Sequence, residues 1–276
     1  MPAFSSPRKP AAAAPAARQR RQRVQAAQTG MDVLKGLAEL DGRASLTALS
    51  HHLQLPLAKV HRYLMSMVEA ELVAQDPASQ QYYLGAQAIR IGLAAMRQAD
   101  PIRLAEPALL RLRESLAVTC FIAVMGNQGP TIVRFEEPSL PVTVNVRAGS
   151  VLSLLWSATG RVFLSHLDDA AMARMAEAEL RRCTPQQRSL LAPSRPLQAL
   201  RAELGQAPCL AVRDTNLPGI SAVAAPIRDH GGKVVAVLTA LGASGGFDAA
   251  LGGPIAQAVQ REAQAVSRAL GWAAGA

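Results

Sequence analysis

Residues 55–85 read LPLAKVHRYLMSMVEAELVAQDPASQQYYLG, an amphipathic segment that begins with a proline and runs into two short strand-like pieces. Proline is favoured in the first turn of a helix because it has no amide hydrogen to leave unpaired. The apolar residues after Pro56 recur on one helical stripe, and the polar residues fall on another. The stretch therefore predicts a helix from about Pro56, followed by a β-hairpin around Asp76-Pro77.

Two further helices are predicted before this stretch. Apolar residues recur at helical spacing from Met31 to Leu40, and Asp41-Gly42 ends that segment. Ser45 stands where the N-cap of a second helix is expected. Three helices with a tight turn before the third, followed by a hairpin, predict a winged helix-turn-helix in which the third helix enters the major groove of DNA.

The charge distribution supports this interpretation locally. Residues 31–95 hold five Lys or Arg and six acids, yet residues 42–68 contain no acid and include Arg43, Lys59 and Arg62. The side expected to meet DNA is therefore basic. A small helical domain that binds protein stays an alternative at this point.

Residues 1–28 contain six Lys or Arg and no acid, together with prolines and an alanine run. This composition predicts a disordered basic arm, which adds phosphate affinity or is an extension without a role. Without that arm, little of the net charge of +9 remains.

The length of 276 residues suggests two domains, and 50% apolar residues suffice for a sizeable core. No apolar run is long enough to span a membrane and no secretory signal is recognisable, so a cytoplasmic protein without a membrane partner is expected. Cys120, Cys183 and Cys209 lie far apart without metal-ligand spacing, which indicates buried small side chains.

After Gly85 the pattern predicts a linker helix up to Ala99 and another helix from Ile102 to Leu116. Strands are then predicted at CFIAVMG, TIVRFEE, VTVNV, CLAVR, ISAVAAPIRD and VVAVLTALG, with helices at 157–167, 169–182, 197–204 and 254–270. Hairpin turns between the strands favour an antiparallel sheet covered by helices. The predicted class is α+β.

Catalytic motifs are absent from the sequence: it has no nucleophile elbow, no phosphate-binding loop and no HExxH pair. His166 and Asp168 are explained by capping or exposure, and Asp214 could meet His230 only if the fold joined them. We expect no enzymatic activity, no cofactor and no metal.

The segment from Ala44 to Val73, with YYLG after it, resembles the winged helix of the IclR-type transcriptional regulators. The matching residues are His61-Arg62-Tyr63-Leu64 and Tyr82-Tyr83-Leu84-Gly85. The stretch LLWSATGRVFLS is similar to the family's pocket helix, and GISAVAAPIRDHGGKVVAVLTALG to its pocket strands. The resemblance covers nearly all of residues 29–270.

The resemblance implies DNA contacts from Ser45, Lys59 and Arg62. Arg62 can form a bidentate contact to guanine or hold a phosphate. Lys59 stands where the family commonly has Thr, which implies a different base preference. Arg43 and His61 complete the candidate DNA-binding set, with His61 expected to be a half-buried spacer.

The resemblance also implies a GAF-like effector domain. Its pocket positions here are Ala158 and Thr159 on the helix and Val212, Ala222, Thr239 and Leu241 on the strands. Thr215 stands where many members carry an acid, four residues before Gly219. Because few donors remain for a buried carboxylate, we expect an effector with a substantial apolar part, such as an aromatic or branched-chain acid or its neutral derivative. Trp156 and Leu155 are expected to be walls of the site.

We therefore predict a disordered basic arm (1–28), a winged helix-turn-helix domain (29–85), a linker helix (86–101) and a GAF-like domain (102–276). The expected protein is a ligand-responsive regulator of a metabolic, catabolic operon. Its expected partners are operator DNA, a small-molecule effector, further copies of itself as a homodimer or dimer of dimers, and RNA polymerase if it activates. Two alternatives stay open: a small-molecule-binding protein or enzyme that dimerises through a degenerate helix-turn-helix, and an architectural DNA binder.

Overall fold

The computed structural model describes residues 24–138 and 146–273. The chain divides into two compact units, Met1–Gly92 and Leu93–Ala276. Most of the predicted basic arm, and residues 142–145 of the predicted strand VTVNV, lie outside the described residues. Within the described part of the chain, no helix has the length and apolar character needed to cross a membrane.

The first unit is a three-helix bundle with a small antiparallel sheet of order β1-β3-β2. Its elements are α1 (Gln25–Glu39), β1 (Arg43–Ala44), α2 (Leu46–Leu53), α3 (Leu57–Glu69), β2 (Val73–Gln75) and β3 (Tyr82–Leu84). The predicted cap is present, since the Ser45 hydroxyl accepts a hydrogen bond from the amide of Ala48 at 3.2 Å. The prediction missed β1, which gives the hairpin a third strand.

The first helix corrects the boundary of the basic arm. Helix α1 begins at Gln25, and the hydroxyl of Thr29 donates to the Gln25 carbonyl at 3.0 Å. Residues 25–28 therefore form the first turn of a helix, not the end of an arm. The two alanines and two glutamines of this turn favour a helix, and the burial of Val33 and Leu37 further along α1 stabilises it.

The core of the first unit follows the helical periodicity of the sequence. Val33, Leu37, Leu49, Val60 and Leu64 are all fully buried. They lie on the facing stripes of α1, α2 and α3, so each helix buries one side and exposes the other.

Helix α4 (Ala86–Gln98) contains the division between the units, and none of its residues is buried. The second unit then contains α5 (Pro101–Leu116), β4 (Thr119–Gly126), β5 (Gly129–Glu136), α6 (Ala158–His166), α7 (Ala170–Arg182), α8 (Pro185–Ser189), α9 (Pro196–Leu204), β6 (Leu210–Arg213), β7 (Ile220–Arg228), β8 (Val234–Ala243) and α10 (Pro254–Ala269). The short helix α8 was not predicted, although Thr184 and Gln187 form a capping box at its start.

The sheet of the second unit has the order β5-β4-β8-β7-β6, and every neighbouring pair is antiparallel. This confirms the predicted α+β architecture. Both faces of the sheet are covered, which explains why β7 and β8 are apolar at nearly every position instead of alternating.

Alternate side chains of the strands enter two separate cores. Cys120 and Ile122 point to the face covered by α5 and α10, whereas Phe121 and Ala123 point to the face covered by α6, α7 and α9. The second face carries the candidate pocket.

Candidate functional site

Helix α3 presents a long exposed face on the side opposite its buried stripe. Val60, Leu64 and Met67 are buried, and Ala58 and Arg62, one helical turn apart, are exposed on the opposite side. Arg62 forms no ion pair with any described residue. Its guanidinium is therefore available to an external acceptor.

The other two predicted contact residues on α3 differ in exposure. Lys59 is half-buried beside Arg62, whereas His61 is exposed. The expectation of a half-buried spacer at His61 is wrong, because Val60 and Leu64 complete the buried stripe without it.

The sequence interpretation missed two apolar side chains beside this face. Leu57 is 48% exposed and Met65 is 38% exposed, and with His61 they form a row at helical spacing. A helical projection of α3 around its buried stripe would have identified both.

Arg43 and Ser45 are both occupied within the first unit. The Nη1 of Arg43 donates to Asp76 Oδ2 at 3.1 Å, and its guanidinium lies 5.1 Å from the ring centroid of Tyr83. Arg43 therefore links β1 to the hairpin, and its side chain stays 51% exposed. The Ser45 hydroxyl serves as the cap of α2.

A cavity lies on the second unit between the start of α6 and the sheet. Its floor comes from neighbouring strands, since Val212 pairs with Ala222 and Ala222 with Leu241, while Thr239 pairs with Phe121. Side chains of directly paired residues share a face of the sheet, which brings these positions together. The space is about 410 Å³, including its opening to solvent, and is lined by Phe121, Val146, Leu152, Ser157, Ala158, Thr159, Val212, Asn216, Leu217, Ile220, Ala222, Thr239 and Leu241.

Six of the seven predicted effector residues line this cavity: Ala158, Thr159, Val212, Ala222, Thr239 and Leu241. Trp156 does not. It lies in a neighbouring cavity with Glu179 and Arg182, and Leu155 is fully buried in the core. The placement of Trp156 as a wall of the effector site is therefore wrong, since its side chain is only 5% exposed and packs within the core of the second unit.

The first turn of α6 supplies the polar end of the cavity. The Ser157 hydroxyl accepts from the Gly160 amide at 2.9 Å, and the amides of Ala158 and Thr159 have no acceptor among the described residues. The Thr159 and Thr239 hydroxyls are hydrogen-bonded to each other at 2.8 Å. A pair of hydroxyls has two hydrogens and uses one between them, so one is left to donate.

A carboxylate from α7 holds the turn that precedes α6. Glu179 accepts hydrogen bonds from the Ser153 hydroxyl at 2.6 Å, the Leu154 amide at 2.8 Å and the Leu155 amide at 3.1 Å. Gly160 packs against the same turn so closely that a Cβ there would collide with the Ser153 carbonyl oxygen. Neither role has a signal in the local sequence, because both depend on a long-range contact.

The loop between β6 and β7 closes the other side of the cavity. The Thr215 hydroxyl donates to the Trp156 carbonyl at 2.6 Å, and Asp214 accepts from the Gly219 amide at 2.8 Å and from the Ser244 hydroxyl at 2.7 Å. Asn216 and Leu217, which line the cavity, lie between these anchors.

The weak catalytic candidates are not brought together. Asp214 precedes β7 and His230 follows it, so the two lie at opposite ends of that strand. Asp168 pairs with Arg201 at 2.9 Å. Across residues 24–138 and 146–273, no cluster of three or more His, Cys, Asp or Glu could hold a metal ion.

Comparisons with known families agree with this architecture. Residues 93–268 match the family model for the C-terminal domain of the bacterial transcriptional regulator IclR. Residues 26–77 match the IclR helix-turn-helix domain.

Individual relatives cover most of the chain. The chain is similar to Pseudomonas aeruginosa HmgR, at 38% identity and a TM-score of 0.79 over 90% of this chain and 99% of that one. It is 28% identical to the transcriptional repressor AllR of Escherichia coli K12 over 80% of each protein. Agrobacterium tumefaciens repressor BlcR, at 21% identity, shares the fold with a TM-score of 0.71 over 91% of this chain and 99% of that chain. These families and relatives are transcriptional regulators and not enzymes.

Proposed function

This chain belongs to the IclR family of DNA-binding bacterial transcriptional regulators, and we propose that it binds its operator through α3 and senses a small organic acid with a substantial apolar part. The observation that carries the ligand class is the cavity beside α6, which has a polar end at Thr159 and Thr239 and an otherwise largely apolar lining. The genes that it controls are those for the metabolism of this ligand.

The DNA-binding part of the proposal rests on Arg62, with Lys59 and His61 beside it. Arg62 is exposed, forms no ion pair with a described residue, and lies within the acid-free stretch of residues 42–68. A guanidinium can make two parallel hydrogen bonds to guanine, which is worth about 1–3 kcal/mol of discrimination against another base. Arg43 and the N-cap residue Ser45 contribute contacts to the DNA backbone.

The ligand part rests on the donors at the start of α6. The amides of Ala158 and Thr159 and the spare hydroxyl hydrogen of the threonine pair belong to residues that line the cavity. A carboxylate is the anion that such a helix start suits. Val212, Ala222 and Leu241 offer no polar group to a second charge, so the part of the ligand beside them is apolar or aromatic.

Regulation follows from linkage between the two binding events. A ligand shifts DNA affinity only by the difference in its affinity for the two states of the protein. Because this coupling is reciprocal, operator DNA changes the affinity for the ligand by the same factor. We propose a homodimer or a dimer of dimers on a palindromic operator, since paired half-sites match two-fold symmetry.

The DNA test is fluorescence anisotropy of the full-length protein on the DNA upstream of its own gene and on a scrambled duplex, at about 150 mM salt to suppress nonspecific binding. We expect a preference for the upstream DNA that Arg62→Ala reduces by about tenfold or more. Arg90→Ala is the control, because Arg90 is exposed on α4 and its replacement removes the same charge. An equal loss of affinity for the upstream DNA in both variants would show that Arg62 contributes only charge.

The ligand test is thermal stabilisation of the full-length protein by benzoate, phenylacetate and a branched-chain 2-oxo acid, against glyoxylate and pyruvate. A ligand that binds only the folded state raises the unfolding temperature. We expect the larger acids to raise the unfolding temperature. The same compounds should change the affinity of the protein for its operator DNA. Stabilisation by glyoxylate or pyruvate alone would contradict the proposed ligand class.

A further inference from the structure

A buried hydroxyl without a partner lies on the sheet face that forms the cavity floor. Thr119, the first residue of β4, is 2% exposed, and its Oγ1 has no hydrogen-bond partner in the described structure. Most buried polar side-chain atoms in proteins are hydrogen-bonded, so an exception needs an explanation.

The strand register places Thr119 at the end of a row of cavity residues. Thr119 pairs with Leu241, Leu241 with Ala222, and Ala222 with Val212. The last three line the cavity, as does Phe121, which shares a face with Thr119 two residues along β4. Thr119 does not itself line the cavity, so contact with a ligand requires the Phe121 or Leu241 side chain to turn aside.

Thr119 also lies at a definite place relative to the polar end of the cavity. Thr239 stands two residues from Leu241 on β8, which makes it the diagonal neighbour of Thr119 across the strand pair. Diagonal neighbours are separated by about 7–8 Å. This separation is comparable to that between substituents on opposite sides of a six-membered ring.

The unpaired hydroxyl destabilises the empty protein. Leaving a buried hydroxyl without a partner costs stability, whereas valine has nearly the same shape and no such group to pair. A residue that lowers the stability of the free protein is expected where a ligand supplies the missing partner.

We propose that Thr119 is a specificity-determining residue that hydrogen-bonds a second polar substituent of the effector, on the far side of the ligand from its carboxylate. This inference rests on the proposed ligand pocket and narrows its ligand class to apolar or aromatic acids with a hydroxyl or carbonyl oxygen opposite the carboxylate. The Thr119 hydroxyl donates to that oxygen, while the threonine pair and the α6 amides hold the acid.

The test compares Thr119→Val and Thr119→Ser in the full-length protein, with matched probes. The probes are benzoate against 4-hydroxybenzoate, and phenylacetate against 4-hydroxyphenylacetate, with dissociation constants from isothermal titration. We expect the wild type to prefer the hydroxylated member of a pair by about three- to tenfold, the value of one hydrogen bond. Thr119→Val should abolish this preference while leaving the unsubstituted acid unaffected, and Thr119→Ser should keep it.

A second readout is the unfolding temperature without ligand. Thr119→Val should raise it, because the variant removes an unpaired buried hydroxyl without changing the packing. A lower unfolding temperature would show that the hydroxyl already has a partner in the free protein and would overturn the inference.

The outcomes separate this inference from the proposed function. Equal binding of both members of each pair to the wild type, or an unchanged preference in Thr119→Val, would overturn the role of Thr119 and leave the pocket intact. If the wild type binds none of the four acids, both the proposed ligand class and the role of Thr119 are contradicted.

Discussion

The hydroxyls of Thr159 on α6 and Thr239 on β8 are 2.8 Å apart in a fully buried hydrogen bond. This bond joins the first turn of the pocket helix to the centre of the sheet. It is the polar end of an otherwise largely apolar cavity, so its two members depend on each other for both stability and ligand binding.

Replacing one member of this pair should be worse than replacing both. Thr239→Val leaves the Thr159 hydroxyl buried without its partner, which costs about 1–3 kcal/mol of unfolding free energy. The double variant Thr159→Val, Thr239→Val should unfold at nearly the wild-type denaturant concentration. Urea unfolding of the four proteins measures the coupling. Additive losses would contradict the pairing, and weaker binding of carboxylates by the double variant would link it to the ligand.

Arg43 and Asp76 allow a prediction with a definite sign for DNA binding. The pair lies at the surface, so neither Arg43→Ala nor Asp76→Asn should change stability appreciably. Arg43→Ala should weaken DNA binding. Asp76→Asn should strengthen it, because it removes a negative charge and releases the guanidinium, while its oxygen still accepts from the turn amides of Ala78 and Ser79. Weaker binding by Asp76→Asn would instead mean that the ion pair sets the shape of the hairpin.

His166 should make the stability of the second unit depend on pH. Its Nδ1 lies 2.9 Å from the Val162 carbonyl and 2.8 Å from the Ser165 hydroxyl, and the buried Nε2 has no partner among described residues. Burial, and to a smaller extent the charge of Arg228, lowers the pKa of His166, although the bond to Val162 acts the other way. Because the folded pKa lies below the unfolded value of about 6.5, the folded state is favoured above that pH and loses stability as the pH falls below it.

The measurement is urea unfolding between about pH 5 and pH 8, where unperturbed histidines titrate. His166→Gln should flatten the fall in stability at the acid end. His230→Gln is the control, because it removes a histidine that is exposed. Equal flattening by both substitutions would remove His166 as the cause.

The cysteines should differ sharply in reactivity. Burial raises the pKa of Cys120 to about 12 and that of Cys209 to about 11, whereas Cys183 is only half-buried. Because the thiolate is the reactive form, a thiol reagent at about pH 8 should modify one cysteine rapidly in the folded protein and three after unfolding. Cys183→Ser should remove the rapid reaction. Fast modification of two or more cysteines in the folded state would show that the second unit opens.

The sequence by itself determined the local structure and much of the site. Helix stripes, the Ser45 cap and the strand runs depend on residues a few positions apart, so periodicity identified them. Resemblance to family motifs also pointed to Ala158, Thr159 and Thr239, which the fold brings into one cavity. The family resemblance also identified Arg62, and the polar stripe of α3 predicted that this side chain would be exposed.

Only the tertiary structure decided which distant residues meet. It packed Trp156 into the core outside the cavity lining, paired Arg43 with Asp76, and placed the Glu179 carboxylate on the turn before α6. It also put Thr119 in one row with Leu241, 122 positions further along the chain. Such contacts are set by strand register and helix packing, where a shift of one residue sends every side chain to the other face. Nothing in the local spacing of residues records that choice.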